Sequence, residues 1–115
     1  MKYFLIAFLA LTFLLSAQEA SATNLRGRIV RYDPYSGRLF PLYNVRVDFW
    51  LWNGTQWLNV AYSVTNGDGF YFFNNVAPGY LFKVQVFNAY YPLQQPWSVV
   101  NVLPPYFQDI PQIST

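Results

Sequence analysis

Residues 45–52 alternate without a break. Val45, Val47, Phe49 and Leu51 fall on one side, and Arg46, Asp48, Trp50 and Trp52 on the other. Successive side chains of an extended strand point to opposite faces, so this pattern specifies a half-buried β-strand. Asn53-Gly54 follows at once. That dipeptide suits a tight hairpin because both central positions of the favoured turn need φ > 0. Residues 57–64 then return, with Leu58, Val60, Tyr62 and Val64 expected to share a face.

The same grammar runs through the rest of the chain. Residues 25–32 read as an opening strand, closed by the turn Asp33-Pro34-Tyr35-Ser36-Gly37. Asn66-Gly67-Asp68-Gly69 is a second hairpin loop and introduces the aromatic run Phe70-Tyr71-Phe72-Phe73. A Pro78-Gly79 bend leads to residues 80–87, where Tyr80, Phe82, Val84 and Val86 oppose Leu81, Lys83, Gln85 and Phe87. Residues 88–97, holding Pro92 and Pro96, read as a long loop, and residues 98–103 as the last strand. Pro104, Pro105 and Pro111 make residues 104–115 an irregular or extended tail. Beyond residue 22 no segment sustains a helical period. Aromatics reach 22% of the chain, and they favour pleated strands. About seven short strands separated by turns specify an all-β fold, an antiparallel Greek-key β-sandwich over residues 23–103.

The first residues belong to a different class. Lys2 precedes an apolar run of about a dozen residues, and Ala20-Ser21-Ala22 supplies a small-x-small cleavage signal. Gln18 and Glu19 close the run short of the roughly 20 apolar residues a spanning helix needs. Residues 1–22 therefore read as a cleaved secretory signal. The mature chain is expected to start at Thr23, to be secreted to an extracellular or periplasmic space, and to carry no transmembrane anchor. The chain has no cysteine, so neither disulfides nor a lipid-modified cysteine contribute, and stability must come from packing.

Chemistry is constrained as tightly. With neither histidine nor cysteine, the common catalytic triads, thiol chemistry and histidine metal sites are closed to this chain. Its acids beyond residue 22 are Asp33, Asp48, Asp68 and Asp109, no two of them on one predicted face. A paired-carboxylate mechanism therefore has no basis. The loop 66–69 offers calcium too few oxygens, and no cofactor is expected. Arg26, Arg28, Arg31, Arg38, Arg46 and Lys83 are dispersed and form no stripe for nucleic acid. Asn53-Gly54-Thr55 matches a glycosylation sequon, although its first two residues are also what the turn requires. A non-enzymatic role is the expectation.

Three segments together carry a resemblance. Gly27-Arg28-Ile29-Val30, Pro41-Leu42-Tyr43-Asn44-Val45-Arg46-Val47, and Thr65-Asn66-Gly67-Asp68-Gly69-Phe70-Tyr71-Phe72-Phe73-Asn74-Asn75-Val76-Ala77-Pro78-Gly79-Tyr80 resemble the carboxypeptidase regulatory-like domain. That family is a transthyretin-like, or prealbumin-like, β-sandwich related to collagen-adhesin B-type repeats. The resemblance covers roughly residues 25–87. It implies that Tyr71, Phe73 and Val76 lie in the core, that Gly69 and Gly79 sit in turns, and that the domain is a non-catalytic accessory. The chain departs from the family pattern in having one residue fewer between Pro78-Gly79 and Tyr80, and in the additional Leu39 and Phe40.

Trp50, Trp52 and Trp57, with Arg46 and Asp48 beside the first two, form the candidate binding face. Exposed flat aromatics bind a protein or surface partner or, alternatively, stack on carbohydrate. They also serve simply as cross-strand pairs.

Overall fold

The structure, a computed structural model, describes residues 22–115. The expected leader, residues 1–22, lies outside the described residues except for Ala22. Among the described residues there is no helix, and so none long and apolar enough to cross a membrane. Ten strands are present: β1 (Thr23–Asp33), β2 (Arg38–Pro41), β3 (Arg46–Trp52), β4 (Trp57–Val64), β5 (Phe70–Val76), β6 (Leu81–Val86), β7 (Ala89–Tyr91), β8 (Trp97–Ser98), β9 (Gln108–Asp109) and β10 (Ile113–Ser114).

They form two sheets. In the first, β1 is central, with β2 and β5 antiparallel to it and β9 and β10 parallel to it. The second runs β4-β3-β6-β7, with β8 continuing the β6 edge beyond β7. Inward residues from both sheets make one core. Phe49 of β3 stacks on Phe73 of β5 with ring centroids 4.6 Å apart and planes 20° from parallel. Phe49 also meets Phe82 at 5.4 Å. Val47, Phe49, Tyr71, Phe73, Val84 and Val86, all expected inside, are buried, together with Leu25, Ile29 and Val76. Gly69 and Gly79 take φ of 82° and 96°. At Gly69 a side chain would also strike the Ile29 carbonyl, 2.6 Å from the ideal Cβ position. This explains how four successive aromatics fit in β5: Tyr71 and Phe73 enter the core, while Phe70 and Phe72 cover the outside.

Several expectations need correction. Among the described residues the strands number ten, because short pairings form where turn residues hid them. Residues 88–97 are not all loop. Phe87 adopts φ 55°, which turns the chain back so that β7 pairs with β6. Residues 98–103 do not form a continuous strand: Trp97 and Ser98 pair with β6, Val99 bonds Gly79 and Tyr80, and the chain then leaves the sheet. The 104–115 tail is part of the first sheet: Leu25 and Arg26 pair with β9, and Ile29 and Val30 with β10. Its prolines lie outside the paired residues, so they interrupt the ladder without preventing it. Ile110 and Ile113 are buried, and the sheet is therefore not purely antiparallel.

Phe49 pairs with Ala61 and Trp50 with Asn59, which leaves Val60 unopposed as a β-bulge. A one-residue bulge reverses the alternation beyond it. Leu58 therefore lies opposite Leu51 and Ala61 opposite Phe49 on the inner side, while Tyr62 and Val64 lie opposite Asp48 and Arg46 on the outer side. Leu58, Val60, Tyr62 and Val64 do not share a face.

Candidate functional site

The outer face of the β4-β3-β6-β7 sheet is built in rows, because directly opposed residues in a ladder project to the same side. One row runs Tyr62, Asp48, Gln85, Tyr90, and the next runs Asn59, Trp50, Lys83. Trp57 and Trp52 head the third. All five residues expected at the binding face stand here, on one sheet, in two contiguous groups.

The polar group centres on Asp48. Its Oδ1 accepts from Arg46 Nε at 3.2 Å and Nη2 at 3.1 Å, and from Asn59 Nδ2 at 3.3 Å. The Arg46 guanidinium also lies over the Tyr62 ring at 4.1 Å. These contacts hold an exposed arginine and an exposed tyrosine in fixed orientation. The ion pair itself is partly solvated and contributes little to stability. Its effect is positional.

The aromatic group centres on Lys83. Its ammonium lies 4.3 Å from the Trp57 ring centroid and 4.7 Å from that of Tyr90. Trp50 meets Tyr90 edge-on, at 5.9 Å and 70°, and donates its Nε1 hydrogen to Gln85 Oε1 at 3.2 Å. Trp52 and Trp57 pack at 5.4 Å with planes 57° apart. All three tryptophans are half-buried, Trp52 and Trp57 against each other and Trp50 against Tyr90. Beside Trp57 a cleft of about 480 Å³ opens between Trp57, Lys83, Tyr90 and the 92–96 loop.

The sequence alone did not place all of these groups. Lys83 and Gln85 were legible as outward residues, since they alternate with Phe82, Val84 and Val86. Their position beside Trp50 follows from the β3–β6 pairing, which no local pattern encodes. Simple alternation groups Tyr62 with Leu58, from which the bulge separates it. Tyr90 was hidden in a segment read as loop, and its only signal was the triplet Ala89-Tyr90-Tyr91 directly after an alternating strand.

The turns beside the face use their own polar atoms. Asn53 Oδ1 accepts from the amides of Thr55 at 2.8 Å and Gln56 at 2.9 Å, which ties the sequon side chain into its hairpin. Asn66 Oδ1 likewise accepts from the amides of Asp68 and Phe70, each at 3.0 Å.

Compared with known proteins, the chain matches no family model, no curated protein and no solved structure.

Proposed function

We propose that this chain is a secreted, non-catalytic β-sandwich module, Greek-key in topology and of the carboxypeptidase regulatory-like type, that binds a protein or surface partner through the outer β4-β3-β6-β7 face. The observation that carries this reading is the relief of the aromatic group. A polysaccharide platform needs rings presented roughly in line, whereas Trp52 and Trp57 meet at 57° and Trp50 and Tyr90 at 70°. A cation sits between Trp57 and Tyr90, and a second lies over Tyr62. Tryptophan, tyrosine and arginine are the residues that dominate protein interfaces, because they bury large area for little lost side-chain entropy. Here their mutual contacts fix them before any partner arrives, which lowers the ordering cost of association.

The cleft beside Trp57 supports carbohydrate as the second reading. Its aromatic walls, the Lys83 ammonium and the Gln94 amide suit a single sugar ring better than an extended chain. One set of variants separates the two. Trp57→Ala with Tyr90→Ala, and Arg46→Ala with Tyr62→Ala, are compared with the parent against native secreted proteins and a polysaccharide panel. Partner retention lost in both variants at unchanged thermal stability supports the protein reading. Retention on polysaccharide, lost only in the Trp57/Tyr90 variant, supports the sugar reading. Unchanged retention in both removes the face from consideration.

A further inference from the structure

We infer that β4 is a self-association edge, through which two copies of this chain pair antiparallel across a two-fold axis and join their outer faces into one continuous surface. Most other edges are protected. An exposed strand edge invites pairing with another chain unless charge, proline or a covering segment blocks it. β2 carries Arg38 and Pro41, β7 runs into Pro92, and β9 carries Asp109 with Pro111 close behind. On β5 the Phe72 amide is taken by Ser63 Oγ at 3.2 Å. β4 pairs only with β3, and its sequence Trp57-Leu58-Asn59-Val60-Ala61-Tyr62-Ser63-Val64 has neither charge nor proline. Leu58, Val60, Tyr62 and Val64 are 39%, 50%, 60% and 45% exposed along that one strand.

The occupant follows from the bulge. Val60 and Ala61 both line the inter-sheet cleft of about 440 Å³, beside Leu58. The strand therefore reads outer, inner, outer, inner, inner, outer, inner, outer from Trp57 to Val64. That order is the same in reverse. In an antiparallel pairing of two copies, Trp57 faces Val64, Leu58 faces Ser63, Asn59 faces Tyr62 and Val60 faces Ala61, with faces matched at every position. A regular strand would leave Val60 unopposed, as β3 does. A second copy leaves nothing unopposed. No charge meets a like charge at any pair, and Trp57 opposite Val64 is an aromatic–β-branched contact of a favourable kind. Two binding faces on one rigid sheet would also turn weak single contacts into bivalent ones.

The test uses the 22–115 chain, which contains all ten strands and both walls of the core. Sedimentation velocity at up to roughly 100 μM, where a micromolar dimer is nearly complete, is expected to show a dimer. Val60→Lys and Val60→Glu place like charges on both sides of the axis, so each variant alone should be monomeric, and an equimolar mixture should dimerise again. Because the chain has no cysteine, crosslinking gives an independent readout. Asn59→Cys mixed with Tyr62→Cys should form an intermolecular disulfide on mild oxidation, several-fold faster than Asn59→Cys mixed with a thiol placed at Tyr35. A monomeric parent at the highest concentration, a dimer that survives Val60→Lys, or a mixture that stays monomeric overturns the proposal. So does equal crosslinking at the two positions.

Discussion

The phenol of Tyr71 occupies the space that a side chain at Gly27 would fill. The two residues are opposed in the β1–β5 ladder, and a Cβ at Gly27 would overlap the Tyr71 ring and hydroxyl. Tyr71 is fully buried, so the ring has nowhere to move. Gly27→Ala should therefore destabilise the fold by about 1–3 kcal/mol, the usual cost of overpacking a close-fitted site. Urea denaturation measures it. Combining Gly27→Ala with Tyr71→Val should recover part of the loss relative to the sum of the two single changes, because the residues share one space.

The Tyr71 hydroxyl has no hydrogen-bond partner, and burial raises its pKa above the ordinary value of 10.0. In the unfolded chain this phenol ionises near pH 10, while in the fold it stays protonated well beyond that. Above pH 10 the folded state thus binds more protons than the unfolded one, and stability falls as pH rises. The contribution is intact below pH 10. Tyr71→Phe should be within about 1 kcal/mol of the parent at neutral pH, since it removes a buried hydroxyl that makes no bond. It should also flatten the alkaline decline between about pH 10 and 12. Thermal melts across that range check both.

Phe73 is the hinge of the inter-sheet contact, stacked on Phe49 at 4.6 Å and edge-on to Tyr71 at 5.8 Å. Phe73→Ala should cost about 3–5 kcal/mol, the range for large aromatic truncations in cores. A variant with parental stability would place the β5 register in error.

Ile113 tests the tail. Buried and paired with Ile29, it belongs to the same core as Phe49. Ile113→Ala should cost about 2–5 kcal/mol, measured by chemical denaturation. Removing residues 108–115 should cost more, because the β1 edge then loses two ladders at once.

Deleting Val60 asks whether the bulge or the residue matters. Without it, Trp57, Asn59, Tyr62 and Val64 keep the outer face in an uninterrupted ladder with β3. The deletion should leave the melting temperature within a few degrees, near the ±0.5 kcal/mol typical of surface changes. Deleting Asn59 instead also keeps Leu58 opposite Leu51, but it seats Val60 opposite Trp50 on the outer face and removes the Asn59–Asp48 hydrogen bond, so it should cost about 0.5–1.5 kcal/mol more. Differential scanning calorimetry separates the two.

What could be read from the chain divides along physical lines. Strands β1, β3, β4, β5 and β6 were legible because each has a period-two pattern or aromatic run closed by a turn with its own chemistry, as at Asn53-Gly54. The bulge at Val60 was not, because Leu58, Val60, Tyr62 and Val64 form a perfect alternation that only the pairing with β3 breaks. The β9 and β10 pairings were hidden for a similar reason. Two-residue bridges have no period, and prolines nearby point towards irregular chain. At the candidate face, Arg46, Asp48, Trp50 and Trp52 came from one strand and needed only alternation. Lys83 and Tyr90 came from neighbouring strands, where position is set by sheet order.

The parallel pairing of β9 and β10 with β1 bears on how the polypeptide comes into being. An early strand is completed by residues made much later: the Val30 carbonyl accepts from the Thr115 amide at 2.9 Å, and the Arg26 carbonyl from that of Ile110 at 2.7 Å. During synthesis, or during passage N-terminus first through a narrow conduit, β1 emerges with one flank empty. It stays so until residues 108–115 follow. Completion of this sheet is thereby deferred until residues 108–115 are available, and the stretch ahead of them stays threadable until then.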